Sequence, residues 1–205
     1  MAARDRLSNF IDQRGRTAVI LRNSGNLTEK YAIARMSQNT EGALNLDSYQ
    51  EEFFRWDSAI RNGDIFQDGL SEERHLVLSV QKVGVDGQHD GLKVSSCRSN
   101  DSVLLYKITS TVPDEYGRAT YNLLVKLNDY ANVSHALRGD QLTPVGEMDM
   151  KYLFVVFSAR NLAGYTPGLG DRCVLGSGGQ YQIDVLDSHI FPGCYRALCT
   201  PDQRV

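Results

Sequence analysis

IRNGDIF (60–66) runs on to HLVLSV (75–80), and GLGDRCVL (168–175) runs on to YQIDV (181–185). Each passage sets a Gly-Asp turn in front of two apolar runs with strand-like alternation. What precedes each turn also corresponds. RTAVILR (16–22) and KYAIARM (30–36), joined by the turn Asn23-Ser24-Gly25-Asn26, read as a hairpin. SVLLYKITS (102–110) and RATYNLLVKL (118–127), joined through Pro113-Asp114-Glu115-Tyr116-Gly117, read as another. Each half is therefore a hairpin, an excursion, a Gly-Asp turn and two further strands. The sequence predicts a tandem of two similar β units, residues 1–98 and 99–205, meeting near Cys97-Arg98-Ser99-Asn100-Asp101.

The fold class this implies is mainly β: one or two small antiparallel β-barrels, or a β-sandwich. Gly at 18 against Pro at 5, with bursts of Val, Ile, Leu and Tyr, suits that class better than a helical one. Two helices are expected as additions. A short N-terminal helix carries Leu7, Phe10 and Ile11 on one stripe and stops at Gly15. An inserted helix is expected over 47–60, where Leu46, Tyr49, Phe53, Trp56 and Ile60 step by three and four and Ser48 with Glu51 fits a capping box. Residues 37–46, 128–147 and the glycine-rich GVDGQHDG (84–91) read as loops, and KYLFVVFS (151–158) as a strand.

Chemistry leaves little trace. There is no Gly-x-Ser-x-Gly elbow, no phosphate loop ending in Lys-Ser/Thr and no HExxH, so the expectation is a protein that is not an enzyme. Gly176-Ser177-Gly178-Gly179 joins two strands and reads as a hairpin turn. His75, His89, His135 and His189 are scattered, and Glu51-Glu52 and Glu72-Glu73 are adjacent pairs that point apart. His89 between Asp86 and Asp90 fits no standard calcium loop, so no metal or cofactor is expected.

Cys97, Cys173, Cys194 and Cys199 show no zinc or redox spacing and read as buried small hydrophobes. The alternative is a disulfide from Cys97 or Cys173 to one of the last two. If CYRALC (194–199) is one strand, Cys194 and Cys199 face opposite ways, roughly 16 Å apart, too far to bridge each other.

A net charge of -3 lacks the basic surplus that holds nucleic acid, although Arg4, Arg6, Arg14, Arg16 and Arg22 make the start locally basic. No run approaches the ~20 apolar residues of a membrane span, and the start has no signal-peptide core. A soluble protein made in the cytoplasm is expected. The sequons at Asn26, Asn100 and Asn132, and Arg138-Gly139-Asp140, then read as chance matches.

RLSNFIDQRGRTAVILR (6–22) resembles the opening of tailed-bacteriophage head–tail connection proteins of the head-closure, or stopper, class, where a short segment ending in Gly-Arg precedes the first barrel strand. IRNGDIF with HLVLSV resembles their Gly-Asp-apolar passage. PGLGDRCVLGSGGQYQIDVLDSHIFPGCYRALCTPDQRV (167–205) is similar to their usual close. These stretches cover both ends and part of the middle, about a third of the chain.

The resemblance implies a virion protein of the phage neck, assembled in the bacterial host cytoplasm as a homo-oligomeric ring. That ring would lie below the portal or adaptor, close the DNA channel after packaging and dock the tail terminator or tail tube. Double-stranded DNA would pass its lumen without sequence-specific binding. Ring contacts are heterologous, and the expected contact residues are Leu7, Phe10, Ile11 and Arg14 with Phe53, Phe54 and Trp56. Gly84, Asp86, Gly87, His89, Asp90 and Gly91 are the expected channel-side loop. Two barrel-like halves exceed a minimal stopper, which leaves room for a collar or adaptor variant. The alternatives are a tail terminator, minor tail or baseplate protein, and, from a different class, a ligand-binding β-sandwich using Trp56 and the tyrosines.

Overall fold

A computed structural model of the chain describes residues 3–36, 49–84, 90–110, 121–135, 152–162 and 164–204. Among the described residues a single α-helix, α1 (Ala3–Arg14), precedes twelve strands. The first six are β1 (Arg16–Leu21), β2 (Leu27–Met36), β3 (Tyr49–Phe54), β4 (Ile65–Asp68), β5 (Arg74–Val83) and β6 (Gly91–Ser99). They close into an antiparallel barrel in the order β1-β2-β3-β6-β5-β4, with β4 pairing back onto β1. The second six are β7 (Asp101–Ser110), β8 (Tyr121–His135), β9 (Leu153–Ser158), β10 (Arg172–Leu175), β11 (Gln180–Asp187) and β12 (Cys194–Pro201). They close in the order β7-β8-β9-β12-β11-β10, the first order with every number raised by six. The chain thus forms two closed barrels rather than a sandwich, and in each barrel every strand pairs with two neighbours.

The Gly-Asp turns are the same corner built twice. Gly63 (φ +78°) and Gly170 (φ +83°) take the left-handed conformation that glycine alone adopts without strain. The Gly63 N–H donates to Val77 O (2.8 Å) and the Val77 N–H returns to Asp64 O (2.9 Å). In barrel 2 the Gly170 N–H donates to Ile183 O (2.7 Å) and the Ile183 N–H returns to Asp171 O (2.9 Å). Each buried aspartate folds its carboxylate back onto the backbone three residues earlier, at Arg61 N (2.8 Å) or Gly168 N (2.7 Å). A register shift follows each corner at the same place, between Val77 and Ser79 and between Ile183 and Val185.

Each barrel is filled by side chains. Barrel 1 holds Tyr31, Phe54 and Phe66, whose ring centroids lie 5.4 to 5.7 Å apart, with His75 stacked on Phe66 at 5.1 Å. Aromatic contacts of this kind add about 0.5–1.5 kcal/mol each beyond area burial. Barrel 2 packs Phe157 among Val103, Leu105, Val155, Ile183 and the buried Cys173 and Cys199.

A third apolar cluster lies between the barrels. It joins Ile65, Leu76, Leu78 and Cys97 of barrel 1 to Val156 and Cys194 of barrel 2. One residue, Asn100, links the two ladders. Its amide donates to Val133 O (2.8 Å) and accepts from Val133 N (2.7 Å), so the linker side chain acts as a rung of the second sheet. Across the same seam, Ser158 Oγ donates to Gly63 O (2.6 Å), Arg160 Nε to Asn62 O (2.8 Å) and Asn132 Nδ2 to Arg98 O (2.7 Å).

Two sequence expectations need correction. The inserted helix over 47–60 is not formed: Tyr49–Phe54 is β3, and 55–64 is a connection without regular structure (Leu46 and Ser48 lie outside the described residues). Burial alternates instead, with Glu52 and Phe54 inward and Phe53 half-buried. Barrel closure decides this, because β3 bridges β2 and β6, which would otherwise present unpaired ladders. The loop expected from residue 128 onward is strand as far as His135, because that half of β8 supplies the pairing edge for β9.

The close approach at the seam gives a direct test. A Cβ on Gly63 would lie 2.2 Å from Gly193 O, whereas one on Gly164, at φ +83°, meets nothing within 4 Å. Both changes carry the strain of a left-handed alanine, about 1–3 kcal/mol. Urea unfolding should show Gly63→Ala losing clearly more stability than Gly164→Ala. Equal losses would mean that the seam does not hold these backbones together.

Candidate subunit and partner surfaces

The N-terminal stripe divides between core and surface. Ile11 is fully buried and half-buried Leu7 leans on Gly91, where an added Cβ would sit 2.6 Å from Leu7 Cδ2. Phe10, at the edge of the same stripe, is 51% exposed, and Arg14 is exposed. The aromatic set divides likewise: Phe54 is core, Phe53 is half-buried and Trp56 is 42% exposed. Ile11 and Phe54 are therefore packing residues and are corrected as contact candidates. Leu7 is taken up mainly by its own barrel.

Of the expected channel-side loop, Asp86, Gly87 and His89 lie outside the described residues. The Asp90 N–H closes the hairpin onto Val83 O (2.8 Å), next to Gly84. Gly91 is buried as the first residue of β6 and is not available to line a channel.

All four cysteines are buried free thiols. Cys173 and Cys199 point into barrel 2, and Cys97 and Cys194 lie on the seam, so Cys194 and Cys199 do face opposite sides of β12. Burial pushes the Cys194 thiol up to about 12 and raises Cys97 as well, which leaves both as unreactive thiols at neutral pH.

Three features bring several charged groups together. Between α1 and the β1–β2 side of barrel 1 lies a groove of about 440 Å³. Its carboxylates are Asp12, Glu29 and Asp57, and its cations are Lys30 and Arg55. Arg55 is engaged on both sides, by Asp12 (3.0 and 3.1 Å) and by Asp57 (3.0 and 3.2 Å). Glu29 accepts from Ser58 Oγ and from Ala59 N (2.8 Å). The second feature is the seam, where Arg22 grips Asp64 and donates to Ala59 O (2.7 Å) while Arg160 approaches Asp64 at 3.7 Å. The third is the C-terminal clasp, in which Arg172 and Arg204 bond the fully buried Asp202 (2.7 and 2.8 Å). Burial alone would raise that carboxyl, but the two guanidiniums hold it at about 2.

Of the seven buried side-chain polar atoms without a hydrogen-bond partner among the described residues, Glu52 Oε2 and His75 Nδ1 are the two that belong to buried residues, both in barrel 1. Glu52 Oε1 accepts from Ser96 Oγ (2.7 Å). Among the described residues no group of three or more His, Cys, Asp or Glu is arranged to hold a metal ion. No described helix is long and apolar enough to cross a membrane.

Sequence reading missed one surface. Leu123, Leu124 and Val125 of β8 are 45%, 58% and 52% exposed, three apolar side chains in succession. The signal was there: NLLVKL breaks the apolar–polar alternation of a strand with one buried face.

No protein-family model matches this sequence, and no curated protein matches it. Among solved structures, MrkH of K. pneumonia in complex with c-di-GMP aligns with 100% of this chain and 88% of its own, at 7% identity and a TM-score of 0.20. A P2(1) crystal form of MrkH aligns over 99% and 84%, at 10% identity and the same TM-score. Likeness that low carries no argument about fold, ligand or role.

The electrostatics of barrel 1 predict a pH dependence. Burial raises the Glu52 carboxyl from 4.5 to about 7, against the Ser96 hydrogen bond. Its folded value lies above its unfolded one, so its contribution is full below pH 4.5 and is lost as pH rises through about 7. The loss is on the order of 3 kcal/mol. Urea unfolding at pH 5 and pH 8 should show the loss in the parent chain and a much flatter response in Glu52→Gln. An equal slope in both would place the titration elsewhere.

Proposed function

We propose that this chain is a structural ring subunit of the tailed-phage neck, closing the DNA channel below the portal or adaptor and docking the tail. The observation that carries the reading is where the family-like passages lie. IRNGDIF with HLVLSV, and the closing stretch from Pro167, supply both Gly-Asp corners and much of the seam, including Gly63, Leu76, Leu78, Gly193 and Cys194. The resemblance thus includes the segments that make two barrels one block.

A block with two closed barrels suits a ring that bears load, because it offers side-chain surfaces rather than strand ends to its neighbours. The net charge of -3, repeated around a ring, gives a lumen through which DNA slides without being held. Side chains fill both barrel interiors, so the ligand-binding alternative would have to use an outer groove.

The test is a gold-labelled tag after Val205, located by electron microscopy on particles from the source. Label confined to the junction of filled head and tail is the expected result. Label at the tail tip would move the chain to the baseplate, and label at the upper end of isolated tails to a terminator. Particles without label would overturn the virion reading altogether.

A further inference from the structure

The chain contains one Asn-Gly dipeptide, Asn62-Gly63, and it stands on the seam. The dipeptide has a chemistry of its own. A glycine N carries no neighbouring side chain to obstruct it, so it can turn back and attack the side-chain carbonyl carbon of the asparagine before it. The attack requires that the glycine N be free and that the two groups meet.

In the folded chain neither condition holds. The Gly63 N–H is tied to Val77 O (2.8 Å). Barrel 2 holds both carbonyls of the dipeptide: Gly63 O accepts from Ser158 Oγ (2.6 Å) and Asn62 O from Arg160 Nε (2.8 Å). Packing closes what remains, since a Cβ on Gly193 would lie 2.7 Å from Asn62 O and 3.1 Å from Asn62 Cβ. Asn62 Oδ1 is buried and, among the described residues, has no donor to steady the oxyanion that attack on Cγ would form. Turning Gly63 N onto Cγ would break the Val77 bond and drive residue 62 into Gly193.

The asparagine is not demanded by the corner. Barrel 2 builds the same corner with Leu169 before Gly170, and there the residue faces solvent. The reactive dipeptide occurs only in the copy of the corner that the other barrel covers.

We propose that Asn62-Gly63 is a deamidation site guarded by the seam, so that parting of the barrels leaves an irreversible covalent mark at the corner. The chemistry needs only water. Gly63 N bonds to Asn62 Cγ, its proton leaves with the side-chain nitrogen as ammonia, and a succinimide ring closes. Water then opens the ring at either carbonyl and gives aspartate or isoaspartate. In isoaspartate the main chain runs through Cβ and Cγ, which adds one carbon to it between Asn62 Cα and Gly63. A contact with no room for a Cβ has no room for that carbon, so a chain marked in this way does not close its seam again. The inference is independent of the neck reading.

Peptide mapping tests it, because the tryptic peptide Asn62–Arg74 holds a single asparagine. The full chain is held at pH 8 in native buffer and in urea, and the mass increase of amide-to-acid conversion is followed. The native rate is expected to be at least about a hundredfold below the rate in urea, since reaction waits on local opening. Ser158→Ala with Arg160→Ala removes both bonds from barrel 2 and should speed the native rate about tenfold. If that pair does not fold, Val156→Ala, which opens a gap in the seam cluster, carries the same expectation. Gly164→Ala, strained away from the seam, should leave the rate unchanged.

Equal rates in buffer and urea would show that the seam guards nothing. Acceleration by Gly164→Ala to match the seam variant would make global unfolding the route, and would also overturn the guard. The one-way mark has its own arm. Chain deamidated in urea and returned to buffer is expected to leave Cys97 and Cys194 open to a thiol reagent, whereas chain exposed to urea only briefly buries them again. A deamidated chain that buries both thiols would overturn it.

Discussion

Asp64 is a fully buried carboxylate in a β protein, and the arrangement of both barrels can be traced outward from how it is satisfied. It accepts from Arg61 N and from Arg22, and Arg160 of barrel 2 faces it as an ion pair at 3.7 Å. Satisfying it fixes the corner, and the corner fixes where β4 and β5 begin. Its neighbour Gly63 must then lie against Gly193, because a residue with a side chain would push the barrels apart. Removing one partner of such a buried charge costs far more than the pair contributes, which makes the corner intolerant of change. Asp171 solves the same problem with Tyr165 and backbone N–H groups instead of arginines. The geometry of the corner is therefore common to both barrels, and the groups that neutralise it are local.

The repeated corner was readable because glycine and aspartate are demanded there by backbone conformation and by an unpaired N–H, so the requirement appears directly in the letters. β3 was not readable. Tyr49, Phe53, Trp56 and Ile60 keep helical spacing, yet what fixes residues 49–54 as a strand is the need of β2 and β6 for a partner between them, a requirement that lies far away in sequence. β6 was missed for a related reason. GLKVSSCRS carries three serines and two cations, and its buried Ser96 makes sense only once Glu52 is known to lie diagonally across on β3. Of the candidate surface residues, Phe10, Arg14 and Trp56 are exposed, whereas Ile11 and Phe54 are core, because a short amphipathic stripe does not disclose whether its cover comes from within the chain or from outside.

Matching the corners also aligns the interiors. Val77 corresponds to Ile183, so their cross-strand neighbours Ser96 and Cys199 correspond, and through them Glu52 corresponds to Val155 and Phe54 to Phe157. The large aromatic has been kept at one level of each barrel. At the next level, barrel 2 has a hydrocarbon where barrel 1 has an acid with one oxygen unpartnered. Barrel 1 is thus the less well satisfied of the two, and its interior polarity is the clearest chemical difference between otherwise equivalent halves.

The seam has a consequence for synthesis on the ribosome. Every ladder of barrel 1 closes within residues 16–99, so that barrel can form while the rest of the chain is still being made. Its outer face, with Ile65, Leu76, Leu78 and Cys97, is covered only when Val156 and Cys194 arrive. At ordinary translation rates the interval between Ser99 and Cys194 lasts roughly ten seconds. Throughout that time the nascent chain displays a folded barrel with an uncovered apolar wall. On a polysome, neighbouring chains present the same wall at high local concentration, so the order of synthesis exposes this protein to mispairing between first barrels before its second barrel exists.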